Sequence, residues 1–211
     1  MNPGDERHRR IAGYFEQKLR EHGATARGVD WNSEASQVLR FRQLLRIVEN
    51  GSPLSINDFG CGYGALADHL LSLAGRFEYF GFDISGEMIA AAEARLGGQP
   101  SIAFAESNVP DQARDYCVAS GVFNIKLATP NEEWLIHILR TLDLMHEYST
   151  KGFAFNALTT YSDADRMRGD LYYADPSHIF DHCKRHYSRN VALLHDYGLY
   201  EFTILVRKTI S

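Results

Sequence analysis

The residues best suited to chemistry in this sequence lie in a glycine-rich turn and in an acidic residue that follows it. The segment Asp58-Phe59-Gly60-Cys61-Gly62-Tyr63-Gly64 comes at the end of an apolar run, Leu54–Phe59. Glycines have no Cβ atom, so the backbone there can turn sharply and approach a ligand closely. Asp83 ends the next apolar run, about 20 residues further on, where a carboxylate can accept hydrogen bonds from both hydroxyls of a ribose. These features predict a site for an adenosine-containing ligand.

The same glycines admit a second interpretation, a nicotinamide-dinucleotide fingerprint of the form Gly60-x-Gly62-x-x-Ala65. This alternative predicts an oxidoreductase. It gives no role to Asp58, and no basic residue beside the turn indicates a phosphate group. We therefore favour an adenosyl ligand without phosphates and keep the nicotinamide-dependent enzyme as the alternative.

A scaffold of alternating strands and helices must position these residues, and the hydrophobic pattern predicts one. The predicted strands are Leu54–Phe59, Phe77–Phe82, Ile102–Glu106, Tyr116–Ser120 and Phe153–Leu158, and the predicted helices between and after them are Ala65–Ala74, Gly86–Leu96, Glu132–Tyr148 and Pro176–Tyr187. Such alternation is typical of an α/β domain with a largely parallel sheet. The glycine-rich turn and Asp83 then follow neighbouring strands, at the edge where open α/β sheets bind ligands.

The C-terminal part of the chain departs from this alternation. Two apolar runs, Val191–His195 and Tyr200–Val206, are separated only by Asp196-Tyr197-Gly198-Leu199. A parallel connection needs a dozen or more residues, so this pair is predicted to be an antiparallel hairpin. A parallel sheet that finishes in a hairpin is not the usual nicotinamide-binding layout.

The N-terminal part is predicted to form two helices, Glu6–Glu21 and Ser33–Glu49, from their apolar stripes. Trp31 lies between them and can act as an amphipathic lid over a ligand. The expected organisation is therefore a helical extension over residues 1–52, which does not fold independently, and one ligand-binding domain over residues 53–211.

From Pro53 to Lys208 the sequence resembles the class I S-adenosylmethionine-dependent methyltransferases. Asp58–Gly64 looks like the first motif of that family, and Asp83-Ile84-Ser85-Gly86-Glu87-Met88 looks like the segment that follows it. The resemblance implies an α/β three-layer sandwich whose seven-stranded, mostly parallel sheet ends in an antiparallel C-terminal hairpin. It also implies S-adenosylmethionine as the cofactor and S-adenosylhomocysteine as the product.

The resemblance assigns roles to the residues of these motifs. Gly60 and Gly62 would lie against the methionine part of the cofactor, with Asp58 near its amino group. Asp83 would hold the ribose. Where the family has an acid for adenine, this chain offers Glu106, Ser107 or Asn108, and Arg40 or Gln37 can meet the cofactor carboxylate. The expected cofactor-binding residues are Trp31, Arg40, Asp58, Gly60, Cys61, Gly62, Asp83, Ile84, Met88, Ser107, Asn108, Ser120 and Gly121.

Composition narrows the expected partners. The formal net charge is −5, so the surface has no general attraction for phosphate backbones. The segment Gly121–Lys126 also lacks the Asn/Asp-Pro-Pro-aromatic tetrapeptide of methyltransferases that act on base amino groups. No apolar run approaches the roughly 18 residues that a membrane span needs. We expect a small-molecule acceptor and not a nucleic acid, no membrane, and a cytoplasmic location; the pattern does not predict an oligomeric state.

Neither a metal ion nor a disulfide framework is expected. Cys61, Cys117 and Cys183 lie far apart, and no CxxC pair occurs. His178, His182 and His186 share one face of a predicted helix. At helical rise the outer two lie about 12 Å apart, too far to bind the same ion.

No residue stands out as a catalyst, and the implied reaction needs none. A protein can accelerate an in-line methyl transfer largely by positioning the reacting atoms and excluding water. A general base is required only if the nucleophile carries a proton. Loops longer than about 12 residues are usually functional or disordered, so the polar stretch Asn156–Asp175 is a candidate substrate wall, with a solvated loop as the alternative. The candidate catalytic residues are Tyr161, Tyr172, Tyr173 and His195. A cofactor-binding protein without catalysis is a further alternative.

Overall fold

Apolar runs of period two and period 3.6 alternate along the chain, and the computed structural model folds them into one sheet with helices on both faces. The structure describes residues 3–48, 54–73 and 75–208. The predicted domain boundary between residues 52 and 53 lies outside the described residues. So do the predicted helix ends at Glu49 and Ala74, and residues 209–211.

The sheet has seven strands, and one of them is reversed. They are β1 (Leu54–Phe59), β2 (Phe77–Asp83), β3 (Ile102–Glu106), β4 (Arg114–Ala119), β5 (Ser149–Leu158), β6 (Asn190–Leu194) and β7 (Glu201–Arg207). Their order across the sheet is β3-β2-β1-β4-β5-β7-β6. β7 pairs antiparallel with both β5 and β6, whereas the pairs among β1 to β5 are parallel. The predicted sheet with its C-terminal hairpin is confirmed, and β7 is inserted between β5 and β6.

The described part of the chain forms six α-helices beside the sheet. They are α1 (Pro3–His22), α2 (Glu34–Leu44), α3 (Ala65–Ser72), α4 (Gly86–Leu96), α5 (Asn131–Glu147) and α6 (Pro176–His186). Ser33 caps α2 by accepting a hydrogen bond from the Ser36 amide at 3.2 Å. α2 is shorter than predicted because its C-terminal continuation tightens into a 3₁₀ turn, Leu45–Ile47.

Each strand alternates its side chains between two buried layers, which makes the domain a three-layer sandwich. On β4, Cys117 and Ala119 belong to a core cluster shared with α5 and α6, whereas Tyr116 and Val118 belong to a cluster shared with α2 and α3. Both faces of the central strands are therefore dry, which explains their near-continuous apolar sequence. The carboxyl ends of these parallel strands are left to form a binding edge.

Two strands begin at least two residues earlier than the hydrophobic pattern predicts. β4 starts at Arg114 instead of Tyr116, and β5 starts at Ser149 instead of Phe153. The Arg114 guanidinium is buried, donates to Asn57 Oδ1 at 2.7 Å and lies 4.1 Å from the centre of the Phe80 ring. A charged residue that is satisfied in this way can begin a strand, although its type gives no strand signal.

Within residues 3–48, 54–73 and 75–208, no helix is long and apolar enough to cross a membrane. The described residues also contain no cluster of three or more His, Cys, Asp or Glu side chains able to hold a metal ion. Cys61, Cys117 and Cys183 are buried free thiols. His182 and His186 stack with ring centres 4.3 Å apart.

Candidate functional site

A cavity of about 460 Å³ opens at the carboxyl ends of the strands, and its lining includes two contrasting walls. The first, which we call the turn wall, consists of the turns after β1, β2, β3 and β4; it contributes Gly60, Gly62, Asp83, Ile84, Ser107, Asn108, Ser120 and Gly121. The second, the helix wall, consists of residues on α1 and α5; it contributes His8, Ile11, Ala12, Phe15, His137 and Thr141.

The glycine-rich turn of the turn wall has a backbone that other residues adopt with difficulty. Gly60 and Gly62 have φ of 66° and 53°, in the left-handed region. A Cβ atom at Gly60 would lie 2.7 Å from a Val122 methyl group. The glycines are therefore required by the turn itself, and they leave bare backbone facing the cavity.

Asp83 lies at the end of β2 and ties two turns together. One carboxylate oxygen accepts a hydrogen bond from the Gly62 amide at 2.9 Å, and the other accepts from the Ser85 amide at 2.9 Å. Burial raises the pKa of Asp83 to about 6, against the lowering effect of these amides. Each carboxylate oxygen can accept a further hydrogen bond, so the side chain retains capacity towards the cavity that it lines.

Two residues expected at the cofactor place their side chains elsewhere. Asp58 does not line the cavity; it accepts a hydrogen bond from the buried Tyr79 hydroxyl at 2.6 Å, and burial raises its pKa to about 7. The Cys61 sulfur lies towards the sheet, since a Cβ atom at Gly81 would come within 2.8 Å of it. The expectation that the Asp58 side chain faces a ligand amino group is corrected, because alternation along β1 directs it behind the turn.

Arg40 lines the cavity, but its charge is already paired. Its Nε and Nη2 atoms donate to the two carboxylate oxygens of Glu201, each at 2.8 Å, and both side chains are buried. Asn156 donates to the same Glu201 carboxylate at 2.8 Å and accepts from the Gly121 amide at 2.7 Å. The guanidinium lies 3.9 Å from the centre of the Trp31 ring. We call these five residues the Arg40–Glu201 brace.

The brace holds Trp31 over the turn that follows β4. Gly121 has φ of 75°, and a Cβ atom there would lie 2.3 Å from Cζ2 of Trp31. Gln37, the alternative to Arg40 for a cofactor carboxylate, does not line the cavity and accepts a hydrogen bond from the Tyr63 hydroxyl at 3.1 Å. Sequence reasoning missed Glu201 and Asn156, because nothing in a strand sequence marks a buried polar pair.

The remaining residues expected to bind the cofactor are brought together. Ile84, Met88, Ser107, Asn108, Ser120 and Gly121 all line the cavity. Glu106, one of the three candidates for adenine, does not line it. The Ser120 hydroxyl oxygen is buried and has no hydrogen-bond partner among the described residues. A buried hydroxyl of this kind is normally satisfied, so a ligand is a natural partner for it.

The N-terminal extension was predicted to cover the ligand, but the cavity-lining residues of α1 and the whole α5 side of the helix wall were not predicted. His8, Ile11, Ala12 and Phe15 form one stripe of α1, at the i, i+3, i+4 and i+7 spacing of a helix face. The other end of α1 is fixed by Arg20, which donates to Glu87 at 2.6 Å, and by Glu16, which accepts from Ser85 at 3.0 Å. The apolar stripe was visible in the sequence, but its partner on α5 was not.

Asp30 fixes the connection between α1 and α2. It has a positive φ of 60°, accepts a hydrogen bond from the Tyr14 hydroxyl at 2.7 Å and pairs with Lys18 at 3.0 Å. Arg168, from the segment after β5, approaches the same carboxylate at 3.9 Å. These contacts close the N-terminal segment over the cavity, which Asp30 and Arg168 line.

Of the four candidate catalytic residues, only Tyr173 lines the cavity. Tyr161 is 71% exposed and its ring lies 5.8 Å from that of His195, outside the cavity lining. Tyr172 packs against the core cluster of α5 and α6 instead. These three positions are corrected: the segment after β5 folds back, with Leu171 bridging to Ile125 and Ala174 to Thr159, and this turns only part of it inwards.

Comparison with known proteins gives consistent matches. A family described as "Methyltransferase domain" matches residues 57–143. The chain is 55% identical over 164 residues to the Mycobacterium tuberculosis (strain ATCC 25618 / H37Rv) protein named "Putative methyltransferase Rv1506c", a match that covers 78% of this chain and 99% of the relative.

Solved structures share the fold at low sequence identity. The N-methyltransferase NodS from Bradyrhizobium japonicum WM9, in complex with S-adenosyl-L-homocysteine, is similar with a TM-score of 0.65 and 16% identity, covering 93% of this chain and 97% of that chain. Magnesium protoporphyrin IX methyltransferase from Synechocystis PCC 6803, with the same molecule bound, has a TM-score of 0.60 and 14% identity, covering 99% and 89%.

Proposed function

The chain belongs to the class I S-adenosylmethionine-dependent methyltransferases, and from that premise we propose that it methylates a small-molecule acceptor held between the turn wall and the helix wall. The transfer is an in-line displacement in which the protein acts mainly by positioning. Membership of this family replaces the nicotinamide-dependent oxidoreductase as an interpretation of the glycine-rich turn.

The cavity suits S-adenosylmethionine in three respects. Bare backbone at Gly60 and Gly62 leaves room for close approach, and the Asp83 carboxylate keeps acceptor capacity for ribose hydroxyls. The unpartnered Ser120 hydroxyl offers a further polar contact. Asp83 would then hold the ribose, with Ile84 and Met88 against the adenine and the Gly60–Gly62 backbone against the methionine part.

Because Arg40 is paired with Glu201, only some of its N–H groups are free to bind the cofactor. Arg40 makes three hydrogen bonds, two to Glu201 and one to the Ser36 carbonyl at 2.8 Å, whereas a guanidinium has five N–H donors. The remaining donors can meet the methionine carboxylate while the brace stays intact. We therefore keep Arg40 and Trp31 as cofactor-binding residues, with Glu201 orienting the guanidinium.

When bound, S-adenosylmethionine supplies a methyl group activated by a cationic sulfur. The contribution of the chain is enclosure and alignment. α1 and the Asp30 contacts exclude water from the cavity, and the rigid turns fix one reactant relative to the other. Such a mechanism suits acceptors whose nucleophilic atom attacks without prior proton removal, since these need no general base.

The size and composition of the cavity favour a metabolite as the acceptor. Ile11, Ala12 and Phe15 give the cavity an apolar side, and α1 covers the cavity there, which disfavours a flat macromolecular surface as the acceptor. The net charge of −5 does not attract nucleic acid. One of the solved structures described above, magnesium protoporphyrin IX methyltransferase, has a small molecule as the acceptor in its name.

The observation that carries the proposal is the placement of Asp83 beside the bare Gly60–Gly62 backbone in one cavity. Calorimetry should show binding of both S-adenosylmethionine and S-adenosylhomocysteine. Mass spectrometry of metabolite extracts incubated with the protein and methyl-labelled cofactor should then reveal a labelled small molecule. Binding without any labelled product below about 2 kDa, together with labelled RNA or protein, would overturn the small-molecule assignment.

A further inference from the structure

His137 is a partly buried imidazole on the helix wall, and none of the sequence motifs points to it. It lies near the middle of α5 and lines the cavity. Its ring rests on Trp134, with ring centres 4.9 Å apart, and meets the edge of His8 from α1 at 5.8 Å. Trp134 is fixed by its indole N–H, which donates to the Phe123 carbonyl at 2.8 Å. The orientation of the imidazole is therefore set by packing on two sides.

The hydrogen-bonding capacity of this ring is not used within the protein. Among the described residues, neither ring nitrogen of His137 has a hydrogen-bond partner. A neutral imidazole carries one N–H donor and one acceptor nitrogen, and both remain available to a molecule in the cavity. Since the ring faces the cavity, a bound molecule is the partner that the geometry leaves open.

We propose that His137 is the acceptor-positioning residue of the methyl transfer, forming a hydrogen bond to the polar group of a predominantly apolar small molecule. The inference rests on the proposed function, because it gives the helix wall to the acceptor and the turn wall to the cofactor. Ile11 and Phe15 provide the apolar surface beside the imidazole. The acceptor is thus an apolar compound with a hydroxyl or N–H group near its reacting atom.

The electrostatic surroundings of His137 favour positioning over proton abstraction. The groups that act on it are Arg7 and His8 on α1 and Arg140 on α5. Burial, followed by the charges of these neighbours, lowers the pKa of His137 to about 3. The imidazole therefore stays neutral at physiological pH and holds an acceptor nitrogen ready without taking the proton.

A pair of matched probes tests this role without knowledge of the natural acceptor. Phenol and toluene have similar size, but only phenol can donate a hydrogen bond to the imidazole. Each is titrated into protein saturated with S-adenosylhomocysteine, with long-range ¹H–¹⁵N NMR detection of the histidine ring nitrogens. We expect phenol to move the ¹⁵N resonances of His137 and toluene to leave them unchanged.

Substitutions give an independent readout of the same contact. His137→Phe should weaken phenol binding by about 3- to 10-fold, the loss of one hydrogen bond, and should not weaken toluene binding. At least one of His137→Asn and His137→Gln, which keep an amide at this position, should restore part of the phenol affinity. A merely structural role for His137 predicts equal losses for both probes and no rescue.

Two outcomes overturn the inference. One is a failure of both probes to bind, and the other is phenol binding that leaves the His137 nitrogens unchanged. S-adenosylhomocysteine affinity is measured separately for each variant by calorimetry and should remain unchanged. Absence of that affinity in the wild-type protein would count against the proposed function, and the probe titrations on the unliganded protein would still decide the role of His137.

Discussion

The turn wall and the helix wall enclose one cavity but are built in opposite ways. The turn wall consists of backbone and short side chains at the ends of four neighbouring strands, and amide groups hold its acidic residue, Asp83. The helix wall consists of side chains from α1 and α5, with a neutral imidazole as its main polar group. Burial raises the pKa of Asp83 to about 6 and lowers the pKa of His137 to about 3, so the two walls carry opposite perturbations from the same cause.

This difference suits two separate tasks, binding of the cofactor and binding of the acceptor. A cofactor common to many enzymes can be bound by a rigid arrangement of strand ends and turns, which the sheet geometry fixes. An acceptor that differs between enzymes is better met by helix side chains, since these can change without disturbing the sheet.

The Arg40–Glu201 brace attaches the N-terminal segment to the turn wall, so its loss should have the largest effect. Glu201→Ala leaves the Arg40 charge buried without a carboxylate and removes the acceptor of Asn156. We expect the free energy of unfolding, measured by urea denaturation, to fall by about 3–5 kcal/mol. Glu87→Ala, which removes the exposed pair with Arg20, is the control and should cost about 0–1 kcal/mol. Equal losses for the two variants would show that the brace does not hold the site together.

A substitution of Asp83 in the turn wall should weaken cofactor binding, whereas a substitution in the helix wall should not. Asp83→Ala should weaken S-adenosylhomocysteine binding by about 1–3 kcal/mol, because ribose hydroxyls lose their acceptor. The matched change in the helix wall is Thr141→Val, which removes a hydroxyl that donates to the His137 carbonyl within α5. Calorimetry should show that the Thr141→Val protein binds S-adenosylhomocysteine with a free energy within about 0.5 kcal/mol of the wild-type value. A folded Asp83→Ala protein with unchanged affinity would refute the ribose assignment.

Cofactor affinity should depend on pH through the same carboxylate. Because burial raises the pKa of Asp83 to about 6, the free protein is ionised above this pH and protonated below it. The ionised form is the better acceptor for ribose hydroxyls, so affinity should be level above pH 7. Below pH 6 it should fall by up to about tenfold per pH unit.

The control for this pH dependence is Asp58, whose pKa burial raises to about 7 but whose side chain lies outside the cavity lining. Asp58→Asn should preserve the fall in affinity near pH 6, and Asp83→Asn should remove it. Calorimetry with S-adenosylhomocysteine at pH 5, 6, 7 and 8 measures both. If Asp58→Asn removed the fall in affinity and Asp83→Asn preserved it, the titrating group would be Asp58, which contacts Tyr79, and not Asp83.

The turn wall could largely be predicted from the sequence, whereas the helix wall and the brace could not. The strands β1 and β3 and the helix α4 were predicted with the bounds that the structure shows, since their hydrophobic periods and flanking glycines are local signals. The glycine-rich turn follows β1 and Asp83 ends β2, the next strand along the chain. Because parallel neighbours end at the same edge of the sheet, the contact between the two could be predicted. His137 and Glu201 could not be found in this way, because their partners lie on distant segments and no local pattern marks a histidine or glutamate that faces a cavity.

Substitutions in the segment after β5 should have the smallest effects, and they test where the cavity ends. Its tyrosines were all candidates from sequence, yet Tyr173 lines the cavity while Tyr161 is 71% exposed beside His195. Tyr161→Ala should therefore change neither cofactor affinity nor the free energy of unfolding by more than about 0.5 kcal/mol. Tyr173→Ala, in the same segment but at a residue that lines the cavity, should lower the rate of methylated product formation. If the two variants reduced that rate equally in a mass-spectrometric assay, the acceptor would extend out of the cavity to the exposed surface around Tyr161.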